Sequence, residues 1–89
     1  MTHREPDFEQ TASLVIESWS LVLEEPVVLD DDVLAMGAHS LMGAQVCGRL
    51  KDELGVEVPI SLMFTTANLA EYADGVQALR AAQLVAEHG

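Results

Sequence analysis

The sequence predicts an all-α fold: a four-helix bundle of three longer helices and one short helix, with a long loop between the first two helices. Three observations carry this reading. Apolar residues recur at steps of three and four in three separate stretches, starting near Phe8, Ser40 and Leu69. Alternation with a period of two is not sustained anywhere, which leaves no strand. Hydrophobic residues make up 49% of the 89-residue chain, enough for a real core. This length supports one domain of about 12 Å radius of gyration.

Residues 1–7 are polar and contain Pro6, so they read as an N-terminal tail. The domain runs from 8 to 84, and residues 85–89 read as a C-terminal tail. In the first helix Phe8, Ala12, Val15, Trp19 and Val22 form one stripe, and Asp7 and Glu9 suit the positive end of the helix dipole. Pro26 cannot continue a helix and forces its predecessor out of the α region, so the helix should stop between Leu23 and Glu25. Residues 26–39 form the long connection: Val27, Val28 and Leu29 pack down, Asp30, Asp31 and Asp32 stay in water, and Gly37 turns the chain. A loop this long in so small a domain is more often functional than accidental.

Ser40 is expected to cap the second helix, with Ala44, Cys47, Leu50 and Leu54 on its inner face and Gly55 as its end. Gly43 and Gly48 each cost such a helix about 1 kcal/mol relative to alanine, an amount that close packing could offset. Pro59 to Phe64 is long enough for only one or two turns. Asn68 and Glu71 then make a capping box for a last helix carrying Leu69, Tyr72, Ala73, Val76 and Leu79, extending to Leu84.

Charge excludes some functions. Fifteen acidic residues against four lysines and arginines give a net charge of −11. Four scattered cations release few counterions from phosphates, so no nucleic-acid partner is expected, and a basic protein partner fits better. No apolar run approaches the roughly 20 residues of a membrane span, and the N-terminus lacks a signal-peptide core, which points to a monomer in the cytoplasm. One cysteine leaves no internal disulfide.

Few residues could carry chemistry. His39 and Ser40 are adjacent, but a nucleophilic pair needs a base that reaches the hydroxyl and a third group that orients it. Such neighbours at a helix start usually point apart, so a helix-cap serine is the plain alternative. The serine also ends a long loop at a helix N-terminus, where an attached phosphate would meet free N–H groups and a favourable dipole. His3, His39 and His88 have no metal-ligand spacing, and the aspartate run lacks the further ligands and glycine turn of a calcium loop, so no metal is expected. Cys47 falls on the apolar face as a small buried thiol. Asp52, Glu53 and Glu57 form either a wet helix end or a patch for a basic enzyme. Met36 reads as core, whereas Met42 and Met63 are candidates for partner contact.

The segment Asp30 to Met42, reading Asp-Asp-Asp-Val-Leu-Ala-Met-Gly-Ala-His-Ser-Leu-Met, resembles the phosphopantetheine attachment site of carrier proteins. It is most similar to the peptidyl carrier, or thiolation, domains of nonribosomal peptide synthetases, whose site typically reads Gly-Gly-His-Ser-Leu. The likeness continues through Gln45-Val46, Arg49-Leu50, Leu54 to Ile60, Leu62-Met63-Phe64 and Leu69 to Ala73, and Trp19 suits the first helix, so it covers roughly residues 10–80. Ala38 replaces the usual second glycine, as in many fatty-acid and polyketide acyl carriers, whereas those usually have aspartate where this chain has His39. Val33 and Leu34 stand where aromatics are frequent, and Ala67 where proline is common.

The resemblance implies an acyl-carrier-like bundle with phosphopantetheine covalently attached to Ser40, and a chain that is not itself an enzyme. A phosphopantetheinyl transferase would install the group. An adenylating, loading enzyme would charge it with an aminoacyl or acyl thioester, and condensing, modifying or acyltransferase enzymes would act downstream. His39, Leu41, Met42 and Met63 become the candidate partner-recognition residues. The near-minimal length suggests a freestanding carrier of a nonribosomal peptide or mixed peptide–polyketide pathway. Two alternatives stay open: an acyl carrier of a fatty-acid or polyketide pathway, and an unmodified acidic helical adaptor that binds a basic protein.

Overall fold

In the computed structural model, which describes residues 7–88, four helices follow one another: α1 (Phe8–Leu23), α2 (Ser40–Leu54), α3 (Leu62–Thr65) and α4 (Leu69–His88). No strand occurs among the described residues. The Cα radius of gyration is 12.7 Å, close to that expected from length. The expected N-terminal tail lies outside the described residues except for Asp7.

Local chemistry sets the helix ends. The Asp7 carboxylate accepts the Glu9 N–H at 3.0 Å, satisfying one donor that has no intrahelical acceptor. At the other end of α1, Glu24 turns the chain with φ 59° and gives its N–H to Ser20 O, two residues before Pro26 makes further helix impossible. Gly55 closes α2 with φ 69° and an N–H to Lys51 O at 2.9 Å. Before α4, Asn68 Oδ1 accepts the Glu71 N–H, while the Glu71 carboxylate takes the N–H of Ala67, one residue earlier than a capping box requires.

Trp19 and Tyr72 hold the centre. Both are buried, their rings meeting edge-to-face at 5.8 Å between centroids and 85° between planes. Val15, Val46, Leu50, Leu69, Ala73 and Val76 pack around them, and Val27 and Val33 of the long loop and Val56 and Val58 of the second connection close the sides. The α1 face is centred on Thr11, Ala12, Val15, Ser18 and Trp19. Phe8, expected on that stripe, is 37% exposed.

Thr11 and Ser18 are buried polar residues with partners on other helices. Arg80 donates to the Thr11 hydroxyl at 3.0 Å and to Gln10 Oε1 at 2.8 Å, and Thr11 donates to Gln77 Oε1 at 2.7 Å, which pins α4 to α1. Arg49 Nε donates to the Ser18 hydroxyl at 3.0 Å, which pins α2 to α1. A hydroxyl in a core is stable when bonded and costly when not, so these pairs fix which faces meet.

Three sequence expectations are corrected. The inner face of α2 is Gly43, Val46 and Leu50, rotated from the expected Ala44, Cys47, Leu50 and Leu54, of which Ala44, Cys47 and Leu54 are only half-buried. The cause is Gly43, whose missing side chain makes room for the Met63 sulfur. Gly75 of α4 similarly admits Leu62, whose Cδ1 would lie 2.9 Å from an added Cβ, so the single turn of α3 sits between two glycines. Gly48 has open space around it, and packing does not explain it. Ser40 is the first helical residue, not the cap: His39 holds the cap position with an extended backbone. The segment from 85, expected as a tail, continues α4 to His88.

Candidate functional site at the start of α2

The connection between α1 and α2 is built as a platform. It starts by folding back on α1, where the Ser20 hydroxyl accepts the Val27 N–H. It then leans on α4: Leu69 and Ala70, whose N–H groups have no helical acceptor, donate to the carbonyls of Asp31 and Leu29 at 2.9 and 2.8 Å. Asp31 Oδ2 accepts the Val28 N–H at 2.8 Å. Residues 33–37 make one helical turn, capped by Asp32, whose Oδ1 accepts the N–H groups of Leu34 and Ala35 at 3.0 and 3.3 Å.

That turn ends in a Schellman motif, with Gly37 N–H to Leu34 O at 3.1 Å and Ala38 N–H to Val33 O at 2.9 Å. Gly37 has φ +99°, and an added Cβ there would touch nothing within 4 Å. The glycine is therefore needed for its backbone conformation, not for space. Three residues after Gly37 the chain enters α2 at Ser40.

Ser40 is exposed, and its hydroxyl has no hydrogen bond among the described residues. The first intrahelical bond of α2 runs from Gly43 N–H to His39 O, so the N–H groups of Ser40, Leu41 and Met42 have no intrahelical acceptor. His39 caps nothing with its side chain, and no hydrogen bond joins it to Ser40. The pair is not assembled as a nucleophile and base. What the arrangement offers is a free primary hydroxyl in front of three open donors and a positive helix end, which suits an esterified phosphate.

Exposed apolar side chains occur on and near the first turn of α2. Leu41 is 64% exposed, and across Gly43 lies Ile60, whose Cγ2 would be 3.4 Å from a Cβ on that glycine; Phe64, next in the chain to the Met63 that fills this socket, is 54% exposed. Met42 is half-buried against the core. Met63, expected to touch partners, is 2% exposed, because its sulfur fills the Gly43 socket while the next residue, Phe64, points outward. Sequence reading missed Phe64 and Ile60 because a four-residue helix is too short to show a period.

The other candidates fall away from the site. Asp31 and Asp32 are occupied with backbone donors, and no cluster able to hold a metal exists among the described residues. Burial pushes the Cys47 thiol up, partly offset by hydrogen bonding with Tyr72, which works against a reactive thiolate. Burial likewise raises the Tyr72 hydroxyl above its ordinary range, and the adjacent Cys47 adds to the effect.

Electrostatically the site belongs to an acidic surface. No lysine or arginine occurs between residues 5 and 48. Arg49 pairs with Ser18 and, at 3.5 Å, Glu17, Lys51 with Glu57 at 2.8 Å, and Arg80 with Gln10 and Thr11. The ion pair holds the exposed Glu57 carboxyl below its usual value through its hydrogen bond to Lys51. A cleft of about 670 Å³ does exist, but it lies at the opposite end of α2, lined by Lys51, Leu54, Val56, Arg80 and Leu84 among others. Ser40 is not among the residues that line it.

A small helical bundle that displays an exposed, unbonded serine hydroxyl where a braced loop enters a helix has the anatomy of a carrier domain. Known proteins agree with that anatomy: the family described as "Phosphopantetheine attachment site" matches residues 13–76. The chain belongs to this family, whose members carry covalently attached phosphopantetheine. It is 35% identical over 72 residues to surfactin synthase subunit 3 of Bacillus subtilis, covering 71% of this chain and 6% of that protein. A linear gramicidin synthase of Brevibacillus parabrevis is 33% identical over 69 residues, covering 76% of this chain and 1% of the relative. Phosphinothricin tripeptide synthetase PhsB of Streptomyces viridochromogenes is 38% identical over 53 residues, or 60% of this chain and 4% of the relative. The chain thus spans a small fraction of these relatives' length. No solved structure matches it. No helix among the described residues is long and apolar enough to cross a membrane.

Proposed function

We propose that Ser40 is the phosphopantetheine attachment residue and that the chain carries aminoacyl groups for a nonribosomal peptide synthetase pathway. The observation that carries this is the exposed, hydrogen-bond-free Ser40 hydroxyl at the start of α2, within the segment matched by the attachment-site family. The peptide-synthetase relatives favour aminoacyl cargo over a fatty-acid or polyketide chain.

In loading, the Ser40 Oγ forms a bond to the β-phosphorus of coenzyme A. The pyrophosphate link breaks, adenosine 3′,5′-bisphosphate leaves, and the serine proton passes to a base on the phosphopantetheinyl transferase. Once phosphopantetheine is attached, its phosphate would have the N–H groups of Leu41 and Met42, which lack intrahelical acceptors, available to hold it. When attached, the group supplies a terminal thiol that holds cargo as a thioester. The chain itself presents that group to the adenylating enzyme and to downstream condensing or modifying enzymes, and performs no catalysis. Its compartment is the cytoplasm, where coenzyme A is at hand.

Leu41, Ile60 and Phe64, with His39 beside them, form the recognition surface, and the acidic surroundings steer basic partners to it. Phe64→Ser is therefore expected to lower the second-order rate of loading about tenfold. Its unfolding free energy should change by no more than about 0.5 kcal/mol, because exposed positions tolerate substitution. Unchanged loading by Phe64→Ser would move the docking surface elsewhere.

The function itself is tested by intact-protein mass spectrometry after incubation with coenzyme A and a broad-specificity phosphopantetheinyl transferase. One added phosphopantetheine is expected, on the peptide that contains Ser40. A folded chain that gains no mass would sink the carrier reading and favour an acidic adaptor.

A further inference from the structure

We propose that Asp32 is a positioning residue for the modification of Ser40, acting through the turn at 33–37; this rests on the carrier reading above. The Ser40 side chain is held by no hydrogen bond of its own, so its position relative to a docked enzyme is set by its backbone. On one side that backbone is α2. On the other it is the turn, which must deliver the chain to His39 at a fixed height and angle.

A single turn is too short to be stable by propensity, because nucleation fixes several residues for one hydrogen bond. Its free N–H groups decide whether it forms. Asp32 Oδ1 takes those of Leu34 and Ala35, and its carbonyl accepts from Met36 at 3.2 Å. Behind it Val33 is buried, and the Gly37 and Ala38 N–H groups close the far end. The Asp32 side chain is itself exposed and packs in no core, so its contribution is to the order of this turn and not to the bundle. Asp30, also exposed, makes no such bonds, and provides a control of equal charge.

The capping role needs an acceptor oxygen, whereas electrostatic steering of a basic enzyme needs the negative charge. Asp32→Asn and Asp32→Ala lose the same charge, but only the asparagine and a serine can still accept the two N–H bonds. Loading of the full chain by a phosphopantetheinyl transferase is measured for wild type, Asp32→Asn, Asp32→Ser, Asp32→Ala and Asp30→Asn, with thermal midpoints and amide exchange alongside. Asp32→Asn, Asp32→Ser and Asp30→Asn are expected to load within about threefold of wild type. Asp32→Ala should load about tenfold more slowly, with exchange at Leu34 and Ala35 at least tenfold faster and core amides unchanged. Asp32→Asn loading as slowly as Asp32→Ala would make charge the cause and overturn the proposal. So would Asp32→Ala loading normally while the wild type is modified, an outcome that leaves the carrier reading intact. A wild-type chain that is never modified removes both.

Discussion

Ser40→Ala is expected to gain no mass with coenzyme A and transferase, while its unfolding free energy stays within about 0.5 kcal/mol of wild type. The loss is complete because the proposed point of attachment is the Ser40 hydroxyl itself, which alanine lacks. The fold is spared because the Ser40 hydroxyl bonds to nothing among the described residues, and because alanine is at least as good as serine inside a helix. Had Ser40 been the helix cap, the same substitution would cost about 1 kcal/mol. Urea unfolding of the two proteins thus tests the placement of His39 as the cap, and mass spectrometry tests the chemistry. A modified Ser40→Ala chain would assign the attachment to another residue.

Trp19→Ala has the largest expected effect on stability, about 3–5 kcal/mol, the range seen when a buried large aromatic is removed. A domain of this length has a total stability of roughly 4–13 kcal/mol, so the variant loses a large share of it. The reason is position: the indole is fully buried and is the edge-to-face partner of Tyr72 at 5.8 Å, where α1 meets α4. Trp19→Phe keeps an aromatic face and removes an indole N–H that makes no well-formed hydrogen bond among the described residues. It should cost less, about 1–2 kcal/mol. Equilibrium urea titrations followed by far-UV circular dichroism measure both. A Trp19→Ala loss below about 1.5 kcal/mol would mean that the core closes over the gap or is not centred there.

Features whose causes lie within a few residues were readable in the chain. Asp7, Pro26, Gly55 and the Asn68–Glu71 pair mark helix ends because caps and breakers act locally, and the loop-then-helix setting of Ser40 is of the same kind. Features whose causes lie far along the chain were not. The rotation of α2 depends on Met63 reaching Gly43, twenty residues away in sequence. Thr11 and Ser18 look like surface positions until Arg80 and Arg49 arrive from other helices. The choice between Met63 and Phe64 as the exposed residue was likewise beyond a four-residue helix. The family likeness pointed to Ser40, but the brace on the loop before it, from the α4 N–H groups to the loop carbonyls, required the tertiary structure.

Gly37 also sets a condition of chirality. At φ +99° it occupies the region that mirror-image amino acids prefer, with open space where a methyl group would project. Every L-residue meets much the same penalty there, whatever its size, since handedness and not volume is the obstacle. A chain made by chemical synthesis could place D-alanine at 37 and keep the loop. It would also lose less freedom on folding than glycine does, a gain of about 0.4–1 kcal/mol if the usual glycine-to-alanine effect carries over in mirror image. At this one position before Ser40, stereochemistry limits what the genetic code can supply to glycine.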